Sequence, residues 1–309
     1  MSKLSIIIPC YFNEKNIPVT SAELLRNESS FPAGTEVEYV MVDDGSGDGT
    51  LQALKQFQLQ CAPGKVKIVK LAGNFGSYNA IQAGMKYATG DCHIVIAADL
   101  QDPIELMPEM LRFWNNGFKL VIAHRKNRED NALSRLFANS YQQLIKKYAL
   151  PNLPDGGFDY CLFDKQLKEQ VIQLNEKNTN SLYLLLTLNY PYACIPYTRK
   201  KREIGKSRWT LKKKIKLFVD SFVSFSYFPL RLITVSGFIL GLISLAYALV
   251  VVYARLTGDI QVEGFTAMML VFLFISAFQM IAIGIIGEYL WRTLEASRKR
   301  PPYVVDEVM

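Results

Sequence analysis

Histidine and cysteine are scarce in this chain. Of its 309 residues two are His, His93 and His124, and five are Cys, at positions 10, 61, 92, 161 and 194. The cysteines are odd in number, far apart and form no C-x-x-C, so neither a disulfide framework nor a zinc site is supported. Two phosphate-binding signatures are missing as well. No G-x-x-x-x-G-K-[ST] occurs and no G-x-G-x-x-G follows the first strand-like run, which argues against a P-loop NTPase and a dinucleotide oxidoreductase. The opening Met-Ser-Lys leads directly into that run, so no cleavable signal is expected. Charge is absent from two stretches near the C-terminus, Leu232 to Ala254 and Gly264 to Gly287. Roughly 20 helical residues cross a hydrocarbon core about 30 Å thick, and a helix satisfies its own backbone there. Each stretch is therefore expected to span a bilayer.

What charge there is lies unevenly. The chain is 50% hydrophobic and 20% charged, with a net charge of +7. Between Arg199 and Lys216 ten Lys or Arg stand against Glu203 alone, a local charge of +9, which leaves −2 for everything else. A basic patch just ahead of an apolar run suits the anionic cytoplasmic leaflet, and no nucleic-acid partner is expected. Arg292, Arg298, Lys299 and Arg300 follow the second run, whereas the link between the runs holds Arg255 with Asp259 and Glu263. By the positive-inside rule both termini face the cytoplasm of a multi-pass inner (plasma) membrane protein. The stretch from Leu211 to Phe228 mixes lysines with Phe and Leu, as a helix lying among lipid headgroups would. Gly237 and Gly241 make a G-x-x-x-G that could pack on the second span or on another subunit, leaving a homo-oligomer open. The expected domains are 1–210 cytosolic, 211–231 interfacial, 232–290 a membrane hairpin and 291–309 a cytosolic tail.

Within the cytosolic part, short runs of Val, Ile and Leu alternate with stretches of helical length. Leu4 to Cys10, Val37 to Val42, Val66 to Leu71, Cys92 to Ala97 and Leu120 to Ala123 read as strands covered on both faces. Ile17 to Asn27, Thr50 to Gln60, Tyr78 to Ala88 and Pro103 to Asn116 read as helices. The alternation predicts an α/β fold with a mostly parallel sheet, whose ligand sits at the carboxyl ends of its strands. Polar residues crowd those ends: Tyr11-Phe12-Asn13-Glu14, Asp43-Asp44-Gly45-Ser46, Asp99-Leu100-Gln101-Asp102 and His124-Arg125. The second of these could also be a turn capped by Asp48 or Thr50. Acidic clusters converging on one crevice would repel one another and await a cation or a hydroxyl-rich ligand. Mg²⁺ or Mn²⁺ with a nucleotide sugar fits both.

Ile6-Ile7-Ile8-Pro9, Val42-Asp43-Asp44-Gly45-Ser46-Gly47-Asp48-Gly49-Thr50, Asn74-Phe75-Gly76 and Ala98-Asp99-Leu100-Gln101-Asp102-Pro103 resemble the GT-A (Rossmann-like) domain of family 2 glycosyltransferases. With two C-terminal spans the chain is most similar to the polyprenyl-phosphate group, which includes undecaprenyl-phosphate sugar transferases and dolichyl-phosphate mannose synthases. The resemblance implies that Pro9, Tyr11, Glu14 and Asp44 line the nucleotide, that Asp99 and Gln101 hold the metal, and that Arg125 meets the donor diphosphate. It implies that Asp159 lies near the reacting centre, positioning acceptor or sugar, although a loop carboxylate paired with basic residues is the alternative. Arg135, Arg202, Ser207 and Arg208 would grip the acceptor phosphate. Two departures stand out: Phe12 is inserted between Tyr11 and Asn13, and Ala97 replaces the first Asp of the metal motif. The implied reaction is inverting transfer of a hexose or N-acetylhexosamine, from UDP-glucose or UDP-N-acetylglucosamine, to undecaprenyl (polyprenyl) phosphate. A non-catalytic scaffold that binds nucleotide sugars and a processive polysaccharide synthase are the alternatives.

Overall fold

In the computed structural model, which describes residues 2–127, 142–174, 176–200, 211–257 and 264–309, the apolar runs pair into one eight-stranded sheet. Its strands are β1 (Ser2–Cys10), β2 (Thr35–Asp43), β3 (Val66–Leu71), β4 (Cys92–Val95), β5 (Leu120–Asn127), β6 (Tyr160–Asp164), β7 (Tyr192–Thr198) and β8 (Val305–Val308). They lie in the order β7-β5-β6-β4-β1-β2-β3-β8. β1 pairs in parallel with β2 and β4, β2 with β3, and β5 with β7. β6 runs antiparallel between β4 and β5, and β8 antiparallel to β3. The sheet is thus mostly parallel, as the alternation predicts.

Helices α1 (Ile17–Asn27), α2 (Thr50–Gln60), α3 (Ser77–Tyr87) and α4 (Met107–Asn115) follow β1, β2, β3 and β4. The first two carry the bounds expected from sequence. α5 (Lys165–Leu174) and α6 (Ser181–Thr187) separate β6 from β7. β1 is central, with Ile6, Ile7 and Ile8 fully buried because helices cover both faces of the sheet. His93 on β4 is buried with them, its ring stacked 5.5 Å from that of Phe163. Burial, with the charge of Lys168 added, pushes its pKa down to about 3.

The chain divides into two units, Met1–Ser224 with Pro301–Met309, and Phe225–Arg300. The first also holds most of helix α7 (Leu211–Phe225), whose Ser224 Oγ donates to the carbonyl of Asn178 at 3.0 Å. The second consists of α8 (Phe228–Thr257) and α9 (Phe265–Ser297), 30 and 33 residues long. Both exceed the uncharged runs. α9 continues ten residues past Gly287 by pairing Arg292 with Glu288 one turn earlier, at 3.0 Å. Tyr289 on α9 donates its hydroxyl to the carbonyl of Ser226 at 2.7 Å. Both helices are long and apolar enough to cross a membrane, and their large side chains, Phe238, Tyr247, Phe272 and Met280 among them, are exposed. A Cβ built on Gly237 or Gly241 meets no described atom within 4 Å, so the G-x-x-x-G is not a contact between these two helices.

The stretch 291–309 differs from the expected tail. Its first residues extend α9 and its last form β8, which pairs Glu307 with Lys70 and ties Met309 to Ile68 by two backbone hydrogen bonds of 2.9 Å. Lys70 Nζ also pairs with Asp306. β8 covers an edge of β3 that would otherwise be a row of open backbone groups.

Two outcomes are expected from this packing. Native His93 takes up a proton only near pH 3, whereas the unfolded chain does so near pH 6.5. Between those values the unfolded state binds more protons, so stability falls as pH is lowered, by at most about 1.4 kcal/mol per pH unit. Urea unfolding of the detergent-solubilised protein across that range should show the slope, and His93→Leu should flatten it. Removing residues 301–309 should lower the melting temperature by several degrees and promote aggregation, measured by scanning calorimetry and light scattering.

Candidate active site at the carboxyl edge of the sheet

β1, β2, β4, β5 and β7 point the same way and β6 the opposite way. The carboxyl ends of the first five, with the residues that follow them, and the residue preceding β6 therefore meet at one edge. Asp44, Asp99, Asp102, Arg125, Asp159 and Arg199 all belong to it.

On the β1 and β2 side the loops are stitched to each other. Asp44 donates its N–H to the carbonyl of Cys10 at 2.9 Å, Phe12 N–H goes to Ser46 Oγ at 3.0 Å and Asn13 N–H to Thr50 Oγ1 at 2.8 Å. The inserted Phe12 takes a left-handed backbone, φ +54°, which absorbs the extra residue in a tight turn. Its ring meets that of Tyr11 edge-on at 4.7 Å. Pro9 and Tyr11 are half-buried, while Glu14 is exposed and accepts the N–H of Gly49 at 3.2 Å. Asp48 takes the capping role at α2, accepting both the N–H and the hydroxyl of Thr50.

Asp44 is 3% exposed, and its two oxygens accept the N–H groups of Phe75 at 2.7 Å and Gly76 at 3.0 Å. The Asn74-Phe75-Gly76 motif is thus the partner of the Asp-Asp-Gly-Ser motif. Gly45 makes this approach possible: φ is +66°, and a Cβ would lie 2.4 Å from the carbonyl carbon of Gly73.

On the other side, Thr20 Oγ1 of α1 donates to the carbonyl of Ala98 at 2.9 Å and pins the loop after β4. Asp99 is half-buried and accepts the N–H of Gln101 at 3.3 Å. Gln101 is joined twice to Lys200 beyond β7, accepting its N–H at 2.9 Å and donating Nε2 to its carbonyl at 3.2 Å. Arg125 Nη2 donates to Asp159 Oδ2 at 2.7 Å, the arginine side chain 12% exposed and the aspartate 49%. Gly156 brings the two together, since at φ +88° a Cβ there would lie 2.6 Å from the Arg125 carbonyl oxygen. Arg125 Nε reaches the hydroxyl of Tyr197 at 3.4 Å, and that hydroxyl also meets Asp102. The Asp102 side chain is 1% exposed and stands 3.6 Å from Arg199 Nε. Burial raises the pKa of Asp102 despite the Arg199 charge and the Tyr197 hydroxyl. Burial works against the charge of Arg125 too, yet the Asp159 carboxylate and its other neighbours hold its pKa above the ordinary arginine value.

These contacts correct one expectation. The strand-end carboxylates are not an uncompensated set: Asp159 and Asp102 have arginine partners, and Asp44 has backbone donors. Among the described residues no three His, Cys, Asp or Glu side chains form a metal cluster. With Ala97 in place of a carboxylate, Asp99 and Gln101 offer two hard oxygen donors. That pair fits a Mg²⁺ or Mn²⁺ ion that arrives with a diphosphate and keeps its waters, and does not fit a resident ion caged by protein.

Arg135, Arg202, Ser207 and Arg208 lie outside the described residues. Tyr197 and Arg199 were not legible as site residues, although the alternation of buried Ala193, Ile195 and Tyr197 marks a strand facing inward.

Residues 5–172 match the family model described as Glycosyl transferase family 2. Over 309 residues the chain is 34% identical to an uncharacterised glycosyltransferase of Synechocystis sp., covering 99% of this chain and 95% of that protein. It is 31% identical to the bactoprenol glucosyl transferase of Shigella phage SfV over 304 residues, 98% of each chain. It is 30% identical to a prophage bactoprenol glucosyl transferase homolog of Escherichia coli over 307 residues, 99% of each. A mostly parallel sheet with charged strand ends, a family model over its first half and relatives that align from end to end lead to one conclusion: this chain belongs to glycosyl transferase family 2.

Proposed function

We propose that the chain transfers a hexose, glucose before N-acetylglucosamine, from its UDP donor to a polyprenyl phosphate at the membrane surface, with inversion. The observation that carries this reading is the Arg125–Asp159 pair at the ligand edge of a sheet whose chain continues into two exposed apolar helices. The end-to-end similarity to proteins named bactoprenol glucosyl transferase favours glucose and a polyprenyl acceptor.

A phosphate monoester has a second pKa of about 6, so the acceptor is largely dianionic at pH 7 and attacks without a general base. Its oxygen forms a bond to the anomeric carbon as the bond from that carbon to the diphosphate breaks. The electron pair leaves on the diphosphate oxygen, where the guanidinium of Arg125 receives the developing charge. Asp159 commits one oxygen to Arg125, and its other oxygen is available to a sugar hydroxyl, so it positions and does not deprotonate. Asp99 and Gln101 would hold a Mg²⁺ or Mn²⁺ ion, which would supply charge neutralisation at the diphosphate. Pro9, Tyr11, Glu14 and Asp44 line the nucleotide, and Arg135, Arg202, Ser207 and Arg208 take the lipid phosphate.

α7 lies among the headgroups, and the catalytic unit faces the cytoplasm of the plasma membrane. The basic residues flanking the helical pair support this orientation. So does the path of the chain, which leaves the catalytic unit at Ser224 and re-enters it at Pro301, so both open ends of the pair belong to one side.

Membranes containing the chain are incubated with labelled UDP-glucose, UDP-N-acetylglucosamine and GDP-mannose plus undecaprenyl phosphate, and the lipid is extracted. Label is expected from UDP-glucose, abolished by EDTA and restored by Mg²⁺ or Mn²⁺. Asp99→Asn should lower the rate roughly 100-fold or more. Full activity in that variant would overturn the metal assignment, and unlabelled lipid with every donor would overturn the acceptor.

A further inference from the structure

Arg125 is held at two points of its guanidinium, Nη2 by Asp159 and Nε by Tyr197. The second contact has a fixed polarity. A phenol has one proton, and the buried carboxylate of Asp102 accepts it. The Tyr197 oxygen is thereby left as an acceptor for the Arg125 N–H, so the chain of hydrogen bonds runs one way, from Arg125 through Tyr197 to Asp102. The Tyr197 ring is steadied by that of Tyr160, edge-on at 6.2 Å. Asp102 in turn follows Gln101 directly, in the loop that carries Asp99. A carboxylate 1% exposed is costly to bury, and here the Tyr197 hydroxyl and the Arg199 charge offset that cost.

We propose that Tyr197, anchored by Asp102, is a positioning residue that aims the Arg125 guanidinium at the leaving diphosphate. The role rests on the donor function given above to Arg125. It also couples the loop that holds the metal ligands to the arginine: Asp102 moves with Asp99 and Gln101, and Tyr197 passes that position on.

Tyr197→Phe keeps the ring packed on Tyr160 and removes only the bridging hydroxyl. With full-length protein in detergent, calorimetric titration with UDP and Mn²⁺ should show affinity weakened by on the order of tenfold, as loss of a hydrogen bond to a charged group implies, and kcat/KM for UDP-glucose should fall at least as far. The melting temperature should stay within a few degrees of wild type. Asp102→Asn, which still offers an acceptor to Tyr197, should retain far more affinity than Asp102→Ala, and this pair decides the matter if Tyr197→Phe folds poorly. Because the hydroxyl acts through Arg125, Tyr197→Phe in an Arg125→Ala background should add nothing to the loss of UDP affinity. A further loss of equal size there, or unchanged binding in Tyr197→Phe when Arg125→Ala is impaired, overturns the positioning role and leaves the proposed function standing. Arg125→Ala that binds UDP as wild type does overturns the donor role of Arg125 and Tyr197's role with it.

Discussion

The direction of a single strand decides what the site can be. β6 lies between β4 and β5 yet runs against both, so it presents its amino end where its neighbours present their carboxyl ends. Were it parallel, Asp159 would stand at the opposite edge, about a strand's length from Arg125. The reversal places a carboxylate against an arginine 34 residues away at 2.7 Å, and Gly156 permits the close approach of the two backbones. Among the described residues, this ion pair joins the carboxylate proposed to hold the sugar to the arginine proposed to receive the leaving charge.

Around that pair the site is built from charges already balanced. Asp102 and Arg199, Asp159 and Arg125, and Asp44 with its two backbone donors form a field of groups already paired, as preorganisation for the proposed donor requires. Asp99 is more accessible than Asp102 or Asp44, in keeping with the metal role proposed for it. Ala97 is consistent with that division: one protein carboxylate suffices where phosphate oxygens complete the coordination.

Much of this was legible from residues alone, and the parts that were not share a cause. β3, α1 and α2 carry continuous or periodic apolar patterns, and their limits follow from them. Asp99, Arg125 and Asp159 could be singled out because they adjoin strands or belong to a motif. The Arg125–Asp159 contact could not, since it depends on the direction of β6, a five-residue run without alternation. β7 was hidden by Pro196, which an edge strand tolerates because its outward face makes no ladder, and with it Tyr197 went unread. β8 is short and carries two acids, and its partner Lys70 lies 236 residues before Asp306. No local pattern encodes such a pairing.

That last pairing imposes an order on biosynthesis. The strand closing the β3 edge leaves the ribosome only after both apolar helices have been made. Until then the nascent chain has one flank of its sheet unzipped, the state in which an edge recruits foreign strands. A message truncated anywhere within α8 or α9 would thus yield a sheet that never finishes, its β3 edge left open.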